Sequence, residues 1–405
     1  MTISNSNGAP DVPPFVQGAI QHFMKNTSAP GVAGAIVSPT TGPMSFAYGE
    51  RMVATDTFPA LPLHVDSVFC IGSVTKVFTS TLLMYEYLFN DSMECPQPNL
   101  ALMNPSLDWL GPVIKEKCKN NAEMQAVTLL QLATNTSGMP QYIPDMGTRI
   151  PGVWLGRSPQ EWMIDQWVNV TTQNPNEFSY SNFGFVTLAF NVVYLGNLLI
   201  QNNPWTLSYN DLLEMWITEP TGMLHTSLNV IGDDVVMGYT DEDFTQPHEV
   251  SSGHDLNSTA NDLMIFIQNC LNAGPDPDSP LISALTATYP VPADSPPPDP
   301  NPNPSPDSEN GGYFYYQTQG HQQPQDHWLG LAWITCPPEK KINGYWVFEK
   351  GGISGRAGCT SNISLIPELG IGVALLCNQR RTQTVPYGTL SDPAHDILSQ
   401  LANMQ

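Results

Sequence analysis

The stretch that decides the fold covers residues 70–78 and reads C-I-G-S-V-T-K-V-F. It contains Ser73 and, three residues later, Lys76, and an apolar pattern of helical period follows at 79–88. Residues three apart share one face of a helix, so this spacing predicts that the Lys76 amine lies within reach of the Ser73 hydroxyl. A serine at the N-terminus of a helix also sits in a positive potential, which favours negative charge developing there.

A serine hydroxyl is a weak nucleophile and needs a nearby base to become reactive. A lysine serves as that base only where burial or a neighbouring cation favours its neutral form. The same spacing also describes a capping serine followed by a solvated lysine. The meaning of the pair Ser73 and Lys76 therefore depends on the motifs that accompany it.

Two further clusters follow along the chain. Residues 178–184 read F-S-Y-S-N-F-G, a turn-like segment that leads into an apolar helix and contains Tyr180 and Asn182. Residues 348–355 read F-E-K-G-G-I-S-G and lie between two strand-like runs. The chain thus carries S-x-x-K, Y-x-N and K-x-G in that order.

This ordered triple resembles the serine β-lactamase and penicillin-binding protein superfamily, and most of all class C β-lactamases with their esterase, D-amino-acid amidase and acyltransferase relatives. Three more segments resemble family patterns: residues 128–140 (T-L-L-Q-L-A-T-N-T-S-G-M-P), 219–223 (E-P-T-G-M) and 253–263 (G-H-D-L-N-S-T-A-N-D-L). The resemblance runs in register from about residue 30 to residue 380. Six ordered matches make coincidence an inadequate explanation.

The resemblance implies an α/β (α+β) fold of the β-lactamase/transpeptidase-like type, with an antiparallel sheet flanked by terminal helices and a mostly helical lobe. We expect one catalytic domain over 1–405, with the α/β lobe at 1–68 and 312–405 and the helical lobe at 69–274. Residues 275–311 are predicted to be a surface excursion, because nine of the seventeen residues from 290 to 306 are proline.

Periodicity and turn residues predict the same order of elements. The predicted helices are at 16–25, 79–88, 128–133, 159–168, 185–195, 212–217, 259–271 and 393–402. The predicted strands are at 31–37, 44–48, 328–335, 345–350, 361–366 and 371–377. Strands at both ends of the chain therefore enclose a helical middle.

The resemblance also implies roles for single residues. Ser73 would be the acylated nucleophile and Lys76 its proton partner. Tyr180 would be the general base or would share that task with Lys76. Asn182 would orient the Lys76 amine and an amide of the substrate. The backbone N–H groups of Ser73 and Ile353 would form an oxyanion hole.

The third motif departs from the family pattern. Gly351 stands where relatives acting on β-lactams or peptidoglycan carry a hydroxyl that helps to hold a substrate carboxylate. Lys350 would then either bind such a carboxylate or, as a second cation, lower the pKa of Tyr180 or Lys76; we prefer the second role. Gly351 and Gly352 suit close approach of the backbone to a substrate. Asn135 replaces the histidine usual in the T-S-G segment.

Composition narrows the class of partner. The 405 residues include 14 basic and 37 acidic side chains, which gives a net charge of −23. Such a surface repels phosphate backbones and anionic lipids, so we expect neither nucleic acid nor a membrane as partner. No stretch looks apolar and long enough to span a bilayer. The eight histidines show no zinc-ligand spacing, and we expect no metal and no cofactor.

Cysteine usage and the N-terminus predict a cytoplasmic protein. The seven cysteines are odd in number and include no C-x-x-C pair, a pattern typical of reduced, buried thiols. We expect Cys70 to be one of these structural thiols. The first residues show neither a basic segment nor an apolar run, so no secretory signal is predicted.

Together these observations favour a serine hydrolase that cleaves an ester or amide of a small-molecule or peptide-like substrate through an acyl-Ser73 intermediate. Three alternatives stay open at this stage. The acyl group could pass to an alcohol or amine, as in an acyltransferase. The activity could be that of a β-lactamase or D-peptidase, or the chain could be an inactive scaffold on this fold.

Overall fold

The computed structural model describes residues 12–92, 101–144, 159–200, 203, 205–240, 255–271, 279–289, 315–316, 328–336, 338–354, 357–380 and 384–405. Its helices are α1 Pro14–Thr27, α2 Thr75–Ser92, α3 Pro112–Lys117, α4 Ala122–Ala126, α5 Leu129–Ala133, α6 Glu161–Asn169, α7 Asn182–Leu199, α8 Tyr209–Leu213, α9 Glu219–Thr221, α10 Ala260–Cys270, α11 Pro280–Ala287 and α12 Ser391–Ala402. Its strands are β1 Gly31–Val37, β2 Met44–Met52, β3 Leu61–Pro62, β4 Phe69–Cys70, β5 Tyr239–Thr240, β6 Asn257–Ser258, β7 Tyr315–Tyr316, β8 Trp328–Leu329, β9 Ile334–Thr335, β10 Phe348–Ser354, β11 Cys359–Ile366, β12 Ile371–Cys377 and β13 Gln379–Arg380.

The chain divides into two compact units. The first unit comprises residues 1–75, 218–277 and 340–405, and the second comprises 76–217 and 278–339. The sequence had placed 69–75 and 218–274 with the helices. The structure groups them with the sheet because the turn at Gly72–Val74 packs on β10 and β11, and because α10 packs on β1 and β12; β4 and β6 pair with each other in a separate two-stranded sheet.

The first unit is built on an antiparallel sheet. Its strands run in the order β3, β2, β1, β12, β11, β10, so the N-terminal and C-terminal strands meet where β1 pairs with β12. Every described residue of β1 and β12 is buried, which is what a strand covered on both faces requires. The hairpin between β11 and β12 turns at Pro367–Leu369 and ends at Gly370, whose φ of +62° suits glycine.

The terminal helices complete the first unit. Helix α1 begins with a proline in its first turn, and α12 presents a row of buried aliphatic residues that includes Ile397, Leu398 and Leu401. The two helices pack on each other, and α12 also packs on β11 and β12. The predicted sheet flanked by terminal helices is therefore confirmed.

The second unit is mostly helical. Helix α7 is its central element, with nearly every side chain buried, and α5 and α8 pack against it. Thr128 and Gln131 form a capping box at the start of α5. The indole of Trp167 on α6 donates a hydrogen bond to the Thr187 hydroxyl on α7 (2.9 Å).

Helix α7 also corrects an expectation about apolar stretches. Its 18 residues are long and apolar enough to cross a membrane, which the sequence analysis had not recognised. In the structure 89% of this helix is buried inside the protein, as expected for the core helix of a helical unit.

Three other segments differ from their predicted form. The run 328–335 is two short strands, β8 and β9, because the chain turns between them at Ala332 with a φ of +68°. The run 212–217 contains the end of α8 and then π-helical turns over Glu214–Thr218. Part of the predicted surface excursion 275–311 is helix α11, whose apolar side chains are buried. The proline cluster at 290–306 lies outside the described residues.

One buried acid stands out in the second unit. Glu86 on α2 is 0% exposed, and neither of its carboxyl oxygens is hydrogen-bonded within the described parts of the chain. A Cβ added at Gly196 of α7 would lie 2.9 Å from Glu86 Oε1, so the carboxyl group is held tightly against that helix. Burial raises the pKa of Glu86 well above its ordinary value.

We expect Glu86→Gln to stabilise the protein at neutral pH. The unfolded chain releases the Glu86 proton near pH 4.5, whereas the folded chain retains it to higher pH. Wild-type stability therefore falls as pH rises between the two pKa values, by about 1.4 kcal/mol per pH unit. A neutral glutamine avoids this loss.

The measurement is the free energy of urea unfolding of both proteins from pH 4 to pH 8. The advantage of Glu86→Gln should be small near pH 4 and should grow above it. Glu177→Gln, at an exposed position, is the matched control. A difference between wild type and Glu86→Gln that does not depend on pH would contradict the assignment of a neutral buried acid.

Candidate active site

The segment that carries Ser73 is fixed by backbone hydrogen bonds within the first unit. Residues Gly72–Val74 form one turn of 3-10 helix that runs directly into α2. On its N-terminal side, the Ile71 N–H donates to the carbonyl of Leu256 (2.9 Å). On its C-terminal side, the Thr75 hydroxyl accepts a hydrogen bond from the Leu256 N–H (2.8 Å). One residue of a neighbouring segment therefore holds the turn at both ends.

Two glycines bring this turn into direct backbone contact with β10. Gly72 has a φ of +50°, and a Cβ there would lie 2.8 Å from the backbone nitrogen of Ile353. At Gly352 a Cβ would lie 2.2 Å from the Ile71 carbonyl oxygen and 3.0 Å from the Ser73 nitrogen. Neither position has room for a side chain, so the backbones of 71–73 and 352–353 lie against each other.

A side chain from the next strand supports the same contact. The hydroxyl of Ser361 on β11 donates a hydrogen bond to the Ile71 carbonyl (2.7 Å). Ser361 is 3% exposed and pairs in register with Gly352. The carbonyl just before Gly72 is thereby satisfied, and the turn is tied to the interior of the sheet.

Strand β10 presents two unlike faces. Lys350, Gly352 and Ser354 alternate along one face and are buried, and Lys350 is only 3% exposed. On the other face Gly351 is open: in the part of the chain that the structure describes, no atom lies within 4 Å of the position a Cβ would take. The Ile353 side chain on this face is 63% exposed. Alternation of side chains along a strand explains the difference.

Glu349 lies on the same face as Gly351 and Ile353. Its carboxylate accepts hydrogen bonds from the Ser391 hydroxyl (2.9 Å) and from the His395 ring (3.2 Å), both on α12. Burial acts to raise the pKa of Glu349, but the hydrogen bond and charge of His395, helped by Ser391, hold it below its ordinary value. Glu349 is therefore a carboxylate at neutral pH.

In the second unit, the Lys76 amine lies close to Asn182 and to the ring of Tyr180. Lys76, at the start of α2, is 6% exposed and donates a hydrogen bond to Oδ1 of Asn182 (2.7 Å). Its Nζ also lies 5.0 Å from the ring centroid of Tyr180 and 5.6 Å from that of Phe185. An amide oxygen and two aromatic faces all attract an ammonium group, so these contacts suit Lys76 as a cation.

Asn135 holds the turn that carries Tyr180. Its carbonyl accepts a hydrogen bond from the Ser179 N–H (2.8 Å), and its Oδ1 accepts one from the Ser181 N–H (3.0 Å). Asn135 is buried and has a φ of +57°, a conformation that asparagine tolerates better than most residues. The residues on both sides of Tyr180 are therefore hydrogen-bonded to Asn135.

The segment then enters helix α7. Ser181 is the N-cap of α7: its hydroxyl accepts a hydrogen bond from the Gly184 N–H (2.8 Å) and donates one to the Pro140 carbonyl (2.8 Å). Asn182 follows as the first residue of the helix. The Y-x-N spacing therefore places a loop residue and a helix residue around one capping serine.

The structure thus places the predicted residues in two groups. Ser73 and Ile353 belong to contacting segments of the first unit, which also holds Lys350, Gly351 and Gly352. Lys76, Tyr180 and Asn182 form a cluster in the second unit. Only two residues separate Ser73 from Lys76 along one continuous helical run.

Three positioning residues were missed or left without a role in the sequence analysis. Gly72 acts through a backbone contact and Ser361 through its hydroxyl; both join segments far apart in the chain, for which the sequence carries no local signal. Asn135 was noted as a departure from the family pattern, and its location in the T-S-G segment was the one available clue.

Other chemistry-bearing groups near this site are buried thiols. Cys70 is 1% exposed, which confirms its prediction as a buried cysteine. Burial, then the nearby Cys70 and Cys377, raise the pKa of the Cys359 thiol well above its ordinary value. Within the described ranges, no group of three His, Cys, Asp or Glu side chains could hold a metal ion.

Comparison with known proteins agrees with this architecture. The family model described as Beta-lactamase matches residues 16–391. A class C beta lactamase from Rhodobacter sphaeroides is similar in structure with a TM-score of 0.69 and 17% identity, covering 96% of this chain and 100% of its own. A beta-lactamase/D-alanine carboxypeptidase from Pseudomonas syringae has a TM-score of 0.69 and 17% identity, covering 96% of this chain and 98% of its own.

A further class C beta-lactamase is 19% identical, with a TM-score of 0.68 and 96% coverage of both chains. No curated protein matches the sequence. The fold is of the β-lactamase/transpeptidase-like type, the architecture of a serine hydrolase family. The chain belongs to the beta-lactamase family, since the family model covers most of its length.

The two adjacent glycines of β10 provide a matched pair of substitutions. Gly352→Ala should destabilise the protein by about 1–3 kcal/mol, because its Cβ would overlap the Ile71 carbonyl and the Ser361 hydroxyl. Gly351→Ala should change stability by less than about 0.5 kcal/mol, because its Cβ meets open space. Urea unfolding of the two variants and wild type measures both effects. Equal stability of the two variants would show that the close backbone contact is not formed.

Proposed function

We propose that this chain is a serine hydrolase that cleaves an ester or amide bond of a small-molecule or peptide-like substrate through a covalent acyl-Ser73 intermediate. The observation that carries the proposal is the backbone contact between 71–73 and 352–353. It places the N–H groups of Ser73 and Ile353 on contacting segments, as a two-donor oxyanion hole needs.

In the proposed reaction, Ser73 Oγ attacks the substrate carbonyl carbon while a base takes the hydroxyl proton. The carbonyl oxygen becomes an oxyanion, which accepts hydrogen bonds from the N–H groups of Ser73 and Ile353. The intermediate then collapses: the bond to the leaving group breaks, and the leaving group takes up the proton. Water next attacks the acyl-Ser73 ester and releases the acid. Loss of one oxyanion donor typically costs about 2.7–4 kcal/mol of transition-state stabilisation.

The contacts of Lys76 support Tyr180 as the base. A lysine amine abstracts a proton only as the neutral amine, whereas the amide oxygen of Asn182 and the ring faces of Tyr180 and Phe185 all favour the ammonium. A cation beside a tyrosine favours the phenolate that a general base requires. In this proposal Lys76 tunes Tyr180, and Asn182 orients Lys76.

Burial of Lys350 bears on the choice between its two roles. The side chain lies on the packed face of β10 and is 3% exposed, and Gly351 contributes no hydroxyl on the open face. This arrangement supports an electrostatic role for Lys350 over direct capture of a substrate carboxylate, and with Tyr180 as the base that role is to favour the Tyr180 phenolate. A cytoplasmic location also remains part of the proposal, supported by six described cysteines that are buried, reduced thiols.

The first test concerns the nucleophile. Ser73→Ala should abolish covalent labelling by a fluorophosphonate and should lower turnover of 4-nitrophenyl esters by about 10³-fold or more, because the attacking oxygen is gone. Intact-protein mass spectrometry measures the labelling, and Ser283→Ala, an exposed serine on α11, is the control. Unchanged labelling of Ser73→Ala would refute the acyl-Ser73 mechanism. Labelling reports on acylation, the step that hydrolysis and acyl transfer share.

The second test concerns proton transfer. Tyr180→Phe keeps the ring over Lys76 but removes the ionisable hydroxyl, so kcat should fall by about 10²–10⁴-fold while KM changes little. Steady-state kinetics with one 4-nitrophenyl ester measures both constants, and Tyr345→Phe in the first unit is the control. A rate near that of wild type would assign the base to Lys76 instead.

A further inference from the structure

The Ile353 side chain is the exposed large apolar side chain of β10. It is 63% exposed, whereas the other large apolar residue of this strand, Phe348, is buried. Single exposed aliphatic residues are common on protein surfaces and need no explanation by themselves. Here, however, the backbone N–H of the same residue is a proposed oxyanion donor, so a bound carbonyl group would lie within a hydrogen bond of Ile353.

The two faces of β10 differ in the room they leave for a bound group. The face of β10 that carries Gly352 is closed, because even a methyl group there would overlap the Ile71 carbonyl. The opposite face is open at Gly351, where no atom of the described residues lies within 4 Å of a Cβ position. A group attached to the bound carbonyl would therefore extend over Gly351 and Ile353.

The charges on β10 disfavour an anion on this open face. Gly351 and Ile353 offer no polar side-chain atom there. Glu349, two residues before Gly351, is the charged group of the same face, and it is a carboxylate engaged with α12. The cation of the strand, Lys350, belongs to the buried face. The net charge of −23 adds long-range repulsion of anions.

We propose, resting on the proposed function, that Ile353 selects substrates by their acyl group, and that the chain prefers uncharged aliphatic acyl esters over esters whose acyl group carries a carboxylate. Ile353 determines this specificity because an aliphatic acyl chain is removed from water when it covers the exposed side chain. Among the described residues of β10, this face offers a carboxylate no cationic or hydrogen-bonding side chain, so the carboxylate loses solvation without compensation there.

The test compares three esters with the same leaving group. These are 4-nitrophenyl acetate, 4-nitrophenyl valerate and the 4-nitrophenyl half-ester of glutaric acid, which has the five carbons of valerate and a terminal carboxylate. For wild type, kcat/KM for valerate should exceed that for each of the other two by about tenfold. Ile353→Ser should lower the valerate-to-acetate ratio by about tenfold, whereas Ile353→Leu should retain it. Each variant keeps the backbone N–H.

Ile231→Ser is the matched control, since Ile231 is an exposed isoleucine of the same unit, 41% exposed, and is not among the residues proposed to act in the reaction. It should leave the three-ester pattern unchanged. An unchanged valerate-to-acetate ratio in Ile353→Ser, with Ser73 still labelled by the fluorophosphonate, would overturn this inference and leave the proposed function standing. A preference of the wild-type protein for the glutaric half-ester over the valerate ester would also overturn this inference and leave the proposed function standing. Absence of labelling in wild type would overturn both.

Discussion

The site depends on one contact between two pieces of backbone, residues 71–73 and residues 352–353. No side chain could make this contact, because it requires that a Cβ be missing on both sides, at Gly72 and at Gly352. The carbonyl of Ile71 accepts hydrogen bonds from the Val74 N–H within the turn (3.2 Å) and from the Ser361 hydroxyl (2.7 Å), and the second bond ties the turn to the sheet. The proposed oxyanion donors are therefore preorganised by the sheet itself, so that no loop has to close to form them.

A different device positions the proton-transfer residues of the second unit. Tyr180 lies in a turn, and a turn of this kind would ordinarily be free to adopt several conformations. Two hydrogen bonds to Asn135, together with the N-cap at Ser181, remove that freedom. Asn182 can then meet Lys76 because α2 and α7 are both rigid helices of the same unit. The positions of Tyr180 and Asn182 are therefore fixed by the hydrogen bonds of the turn and of the helix N-cap next to them.

Much of the fold and most of the candidate site were predictable, for identifiable reasons. Strands β1 and β12 were predicted at their observed bounds, since each is a short apolar run between turn residues. The three ordered motifs S-x-x-K, Y-x-N and K-x-G indicated Ser73, Lys76 and Tyr180 as candidate site residues. The grouping of 218–277 with the sheet was not predictable, because it depends on the packing of α10 against β1 and β12, which lie far from it in the chain. Asn135 and Ser361 were beyond reach for the same reason: their partners are distant in the chain.

The two neighbouring glycines of β10 have unequal freedom, and this bears on how the protein can be altered. A side chain at Gly352 would push the nucleophile's turn away from the strand, whereas one at Gly351 would enter empty space. In the proposed mechanism, a change at 352 therefore acts on reactivity, whereas a change at the adjacent 351 acts on selectivity. Hydroxyl, amide or charged side chains could be introduced at 351 to bind other acyl groups. The contact between residues 71–73 and 352–353 would not have to change.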